Sequence, residues 1–294
     1  MKRTLFAAFS LLILLVGNAT MAPLAWAASP TPISSCPYSI TTPGNYVVTT
    51  NLTSSGSCIT ITVDDVSIDL QGHSITGTAG GFGIGGNNNE VITNGTVTKF
   101  AIGLNLPGYF NTVSGMTVEQ NSGSPGQGIL LGYGSTVTDT SVSGNTAMGI
   151  QGNTIMVNNS SVDNNDDLGI SGNNLVVINS EVNNNGIGGI DIFTNENETG
   201  YVAGVSAKNN GGAGISIHGY GSGQVIDSNV TGNPAGIAIV GGTVMGNTVQ
   251  NNADYGISLT CPANATGNTV KNNTGGNIVT SDNTCVLWNN KTSP

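Results

Sequence analysis

Two residues have the types and placement to share chemistry on one surface, Asp191 and His218. Each follows a Gly-Ile step: Asp191 lies two positions past Gly189, and His218 four past Gly214. The segment 194–201 after Phe193 adds Glu196, Glu198 and Tyr201, and Tyr220 follows His218. Tyr109 and Tyr133 occupy the corresponding turns earlier in the chain. An imidazole exchanges protons near neutral pH, and a carboxylate can orient it or act as acid or base itself. Aromatic rings offer flat apolar faces with a polar rim, which suit a sugar ring. Carboxylates, imidazole and rings together are the components of a glycan site. The candidate catalytic residues are therefore His218, Tyr220 and Asp191. Tyr201, Phe193, Tyr133, Glu196 and Glu198 are candidate substrate-binding residues. The competing reading is a decorated loop of solvated acids.

The remaining titratable residues read more simply. His73 follows Gly72 and precedes Ile75, where it packs or caps a corner. Asp166-Asp167 and Asp64-Asp65 read as solvated turns. Lys99, Lys208 and Lys271 each follow an apolar landmark, which places them on a different face from His218.

A repeat must position the candidates. Gly followed by Ile or Leu recurs at Gly83, Gly103, Gly128, Gly149, Gly169, Gly189, Gly214, Gly236 and Gly256. Such even spacing is the mark of a solenoid repeat. In the second half of each step comes an apolar position, from Val97 and Val118 to Val249 and Val270. Five positions before it stands another apolar residue. Three before it is always Asn, Asp or Gly, as at Asn94, Gly115, Asp139 and Asn179. Three after it is Phe100 once and then Asn, from Asn121 to Asn273. Asn, Asp and Gly enter the left-handed backbone region at least cost, so the fixed position between two apolar ones is a corner between short strands. Val and Ile favour those strands. A coil of about 20 residues then holds three strands, and successive coils stack at ~4.8 Å over a shared core. Stacked Asn side chains can bond to one another along the column. The positions two and four past each marked glycine should face outward, which puts Asp191 and His218 on neighbouring coils. The steps that begin at Gly189 and Gly214 are longer than most.

Composition sets limits. Of 294 residues, 7% are charged, 44 are Gly and 39 are Asn. The chain lacks a basic patch, which argues against a nucleic-acid partner. Lys2 and Arg3, the apolar run 5–16 and Ala25-Trp26-Ala27 read as an export signal over 1–27, with Ala28 the first mature residue. The run is too short to span a bilayer, so no membrane anchor is expected after processing. Processing leaves four lysines and no arginine against sixteen acids, a net charge of −12. The expected location is secreted or periplasmic. The domain division is a signal peptide (1–27), an N-terminal cap (28–58), the coiled body (59–260) and a last coil with C-terminal cap (261–294).

The stretch Asn45-Tyr46-Val47-Val48 through Ile75, with the Gly-Ile repeats and Asn positions after it, resembles secreted right-handed parallel β-helix repeat proteins, whose fold is shared with pectate lyases. The resemblance covers roughly residues 36–290. It implies an all-β chain forming one right-handed parallel β-helix, a β-solenoid of about 10–11 coils with three short strands each. Right-handedness comes from the resemblance and not from the spacing. The alternatives are a left-handed solenoid or an ice-binding coil, for which Thr60, Thr62, Thr96 and Thr98 begin a Thr array that does not continue.

Cysteines sit at both ends of the repeat, and within each pair the separation is close to one coil. Stacked neighbours lie about 5 Å apart, inside disulfide range, so Cys36–Cys58 and Cys261–Cys285 are the expected bridges. Trp288 is expected to cover the last coil, with a ligand platform as its alternative.

The resemblance implies an extracellular polysaccharide as partner but leaves activity open among lyase, epimerase and hydrolase types. Pectate lyases of this fold use an Arg or Lys base, and the mature chain has no Arg. Galacturonan hydrolases carry Asn-Thr-Asp, Asp-Asp, Gly-His-Gly and Arg-x-Lys motifs. Only Asp166-Asp167 matches in type, and Gly72-His73-Ser74 precedes it instead of following. No cofactor is certain. A uronate substrate would need Ca²⁺, for which Asp191, Glu196 and Glu198 are the candidate holders. Two readings stand: a secreted protein that binds, or binds and modifies, a polysaccharide, and a non-catalytic structural or adhesive rod. Oligomeric state is not indicated.

Overall fold

The computed structural model describes residues 29–293. The expected export signal, 1–27, and its cleavage site lie outside the described residues. The described chain contains 33 strands and no helix. Every strand pairing is parallel and joins one coil to the next.

The strands form three ladders around one core. The first carries the Gly-Ile segments, such as Leu168–Asn173, Gly188–Thr194 and Ala213–Gly219. The second includes Val176–Ile178 and Thr199–Ala203, and the third Glu181–Asn183 and Ser206–Lys208. The Val and Ile columns point inward on all three: Ile170, Val177 and Val182 of one coil are fully buried, and so are Ile215, Val225 and Val230 two coils on. Because side chains alternate across a strand, an inward Val or Ile forces its neighbours outward.

The first ladder has twelve rungs, beyond the ten or eleven expected. Nine begin at marked glycines, and Ile59–Ile61 stacks beneath the first of these as an earlier rung. Tyr38–Ile40 stacks on Ile59–Ile61, and Gly276–Thr280 stacks on the first half of Tyr255–Thr266. Neither extra rung carries the Gly-Ile mark. Asn277 stands where Gly would be, because Ile278 pairs with Ile257. Within 28–58, Thr31–Ile33 and Tyr38–Ile40 already belong to these ladders.

Both sequence landmarks have clear physical roles. All nine corner residues, among them Asn94, Asp139, Asn159 and Gly204, have φ between +48° and +70°. The marked glycines sit where coils approach closely. A Cβ on Gly169 would lie 2.6 Å from Val182 Cγ1 and 2.7 Å from Asn185 Nδ2, so any side chain would clash.

The Asn column is buried and continuous. Asn145 Nδ2 donates to Asn165 Oδ1 (2.8 Å), and Asn165 Nδ2 to Asn185 Oδ1 (2.9 Å). The same carbonyl oxygens also accept main-chain amides, as in Asn145 N to Asn165 Oδ1 at 3.2 Å. One side chain thus satisfies a turn amide and a neighbouring amide group where water is excluded. Phe100, which replaces Asn at the start of the column, is fully buried, and its amide donates to Asn121 Oδ1 (3.0 Å). A second column, not anticipated from the repeat, runs at the corner between the second and third ladders. Ser160, Ser180 and Ser228 lead into Asn247, Asn268 and Asn290, linked at 3.0 and 2.9 Å.

Both expected disulfides are present, with Cα atoms 4.8 Å apart for Cys36–Cys58 and 5.0 Å for Cys261–Cys285. The expectation for Trp288 is corrected. It pairs with Thr266 on an outward position and is 67% exposed, while Leu287 continues the core column. Strand alternation dictates this, since Leu287 stacks on buried Ala265. His73 is half-buried at the corner after Gly72, whose φ is +80°. Asp167 Oδ1 accepts the amide of Leu168 (2.8 Å), which is turn chemistry.

Glu90 is the one buried carboxylate among the described residues. It is fully buried; Oε1 accepts the Asn87 amide (2.8 Å), while Oε2 has no partner. Desolvation pushes its pKa up, the Asn87 hydrogen bond opposes this, and Asp64 and Asp65 push it further up.

Two outcomes follow from the core. Asn165→Ala strands the Asn145 amide and side-chain amide in a dry site, and should destabilise the chain by about 3 kcal/mol in urea unfolding. A loss below about 0.5 kcal/mol would mean that the column is ornamental. For Glu90, a raised folded pKa means that its contribution to stability is full below the unfolded value, about 4.3, and is lost as pH rises through the folded value. Glu90→Gln should therefore gain stability relative to the parent as pH rises from about 4.3 through the range in which the folded carboxyl ionises. A constant difference across that range would show that Glu90 does not titrate in this way.

Candidate functional site

Asp191 and Phe193 lie on Gly188–Thr194, and Ser216 and His218 on Ala213–Gly219. The register pairs Asp191 with Ser216, Phe193 with His218 and Thr194 with Gly219. Inward Ile190, Ile192, Ile215 and Ile217 fix which side chains turn out, so the core pattern decides the site.

The outward residues meet across the two rungs. His218 Nδ1 lies 3.3 Å from Asp191 Oδ1 and 3.4 Å from Ser216 Oγ. The His218 and Asp191 side chains are 45% and 31% exposed, which leaves them within reach of a ligand. The Phe193 ring packs edge-on against the imidazole at 5.6 Å between centroids, and against Tyr220 at 6.3 Å. Tyr220 is 79% exposed. With Nδ1 turned to Asp191, Nε2 is the nitrogen available for proton exchange with a ligand.

The turns that carry the outer residues are pinned by backbone. The amides of Tyr220 and Gly221 both donate to Thr194 O (2.8 and 3.3 Å), and Thr194 Oγ1 donates to His218 O (3.1 Å). Gly219 leaves the strand at φ +119°, close against Thr194. Glu198 folds back to accept from Asn195 N (3.1 Å) and Nδ2 (2.9 Å). Beside it lies a surface cavity of about 340 Å³ lined by Asn197, Glu198, Thr199, Tyr220, Gly221 and Ser222. A larger cavity, about 480 Å³, lies at the C-terminal end by Ile278 and Leu287, away from these groups.

Asp191, Phe193, His218 and Tyr220 thus form one cluster, with Glu198 in the adjoining turn. Glu196 is exposed in that turn. Tyr201 is half-buried on the second ladder, between Val176 and Gln224, around the corner from His218. Tyr133 is 51% exposed after Gln127–Leu131, four rungs or ~19 Å along the axis. Among the described residues, no group of three His, Cys, Asp or Glu side chains could hold a metal ion. Ser216 was not among the expected site residues. Its signal was available, because it occupies the same outward position past Gly214 as Asp191 past Gly189.

No protein-family model matches the chain, and no curated protein matches it. Solved structures do. The A-module of the Azotobacter vinelandii mannuronan C-5 epimerase AlgE6 superposes with a TM-score of 0.64 at 16% identity, over 91% of this chain and 92% of that one. The periplasmic alginate epimerase AlgG gives 0.59 at 13% identity, over 85% and 78%. The Dettilon tailspike protein gives 0.52 at 16% identity, over 83% and 60%. At such identities the likeness is one of fold: the chain is a right-handed parallel β-helix.

Proposed function

We propose that this protein is exported after loss of residues 1–27 and binds an extracellular polysaccharide at the Asp191–His218 edge. The observation that carries the reading is the cluster itself: an Asp–His pair and two rings, all outward, on adjacent rungs and next to an open cavity. Phe193 and Tyr220 offer ring surface to a sugar, while Asp191, His218 and Ser216 offer hydrogen bonds to its hydroxyls. Polysaccharide-acting proteins among the structural neighbours support the same partner class.

Catalysis would be a second use of the same groups. In that case His218 Nε2 moves the proton, Asp191 holds the ring through Nδ1, and Tyr220 packs edge-on against Phe193 beside them. The rod-like alternative draws on the low charge, the Asn/Gly monotony of the coils and the lack of a complete catalytic motif, and predicts no glycan binding at all.

A glycan array followed by calorimetry tests the reading. Phe193→Ala and Tyr220→Ala should each weaken binding about tenfold or more, as for aromatic anchors elsewhere. If both variants bind like the parent, the glycan sits elsewhere. If turnover is detected, His218→Ala should abolish it while leaving measurable binding.

A further inference from the structure

We infer that the polysaccharide taken at this surface is uncharged, a neutral glycan and not a polyuronate. The inference rests on the binding reading above and narrows its substrate class.

The cations are in the wrong place for an acidic polymer. The chain has one arginine, Arg3, in the export segment. Lys208, Lys271 and Lys291 lie on third-ladder strands, and Lys99 at the corner that ends one of them. His218 lies at the other edge of the first ladder. Five residue steps from Ala213 to His218 already span ~17 Å, about twice the ~8 Å screening length at physiological salt. The site itself brings carboxylates: Asp191, with Glu196 and Glu198 in the turn beside it. His218 is the nearest group able to carry positive charge, and it already faces Asp191 at 3.3 Å. A uronate would thus add a like charge to an acidic edge of an acidic protein.

The surface along which a chain would extend points the same way. The outward row in register with Asp191 runs Gln151, Ser171, Asp191, Ser216, Ala238 and Ser258. The row beside it includes Asn153, Asn173, Phe193, His218 and Thr260. Apart from Asp191 and His218, these positions carry amides, hydroxyls or apolar groups. Amides and hydroxyls donate and accept at once, as sugar hydroxyls do. Except at the rung that carries Ala238 and Val240, the strip offers hydrogen bonds to an uncharged polyol, with no cation to discharge a carboxylate.

The test is an array of neutral oligosaccharides (gluco-, xylo-, manno- and chito-series) beside alginate and polygalacturonate, at about 150 mM salt, with and without about 1 mM Ca²⁺. The structure predicts binding to a neutral series, and at least about tenfold weaker binding to both polyuronates. Ala238→Lys places a cation beside Ser216 and Ser258 without removing a hydrogen-bonding group. It should raise alginate binding, with the gain falling as salt rises. Parent binding to a polyuronate as tight as to any neutral glycan, with or without Ca²⁺, overturns the inference but leaves glycan binding standing. No gain in Ala238→Lys overturns it too, since charge would then not be what excludes the polyanion. Binding to no glycan at all overturns both.

Discussion

The structure depends on parallel stacking in which each coil satisfies the next. A single coil exposes strand edges and corner amides, and it cannot bury its apolar side alone. The buried Asn column solves the corner problem without water. Each Oδ1 accepts from the preceding coil, and each Nδ2 donates to the following one, along the run that begins at Asn121. An apolar residue there would leave amides unpaired, and a charged one would be desolvated. Only a short side chain that donates and accepts can repeat at that place, which accounts for the monotony of the chain.

That constraint creates the site as a by-product. Once the inward Ile columns and corners are aligned, the side chains at Asp191 and Ser216 must stand side by side, and so must those at Phe193 and His218. No loop has to fold over to build the cluster. Rigid rungs set its spacing, and the pinned turns after Thr194 and Gly219 add Glu198 and Tyr220 at the edge. Function can therefore differ between such solenoids through a few outward positions while the core stays the same.

Much of this could be read from the residues. The corners at Asn94 through Gly267, the inward valines, the buried asparagines and both disulfides followed from backbone preference and one-coil spacing. The proximity of Asp191 and His218 followed from register. Less legible features had local causes. The rung Gly276–Thr280 lacks the glycine mark, because Asn277 takes that place and its Oδ1 accepts Asn273 Nδ2 (3.0 Å) at the foot of the Asn column. At the other end Cys58 precedes Ile59 where Gly83 precedes Ile84, and it uses that place for its bridge to Cys36. The second polar column hid behind its mixed Ser and Asn composition. Tyr201 shares the insert in sequence, yet it belongs to a strand of another ladder. Glu90 gave no sign of burial, since a turn acid normally faces solvent.

The register across the site can be measured directly by crosslinking. Asp191→Cys with Ser216→Cys places two thiols on stacked, outward positions of adjacent rungs, within disulfide range. On mild oxidation, a non-reducing peptide map should show a 191–216 bridge beside the two native ones. Free thiols at both positions, or exchange with the native cysteines, would contradict the alignment from which the candidate site is built.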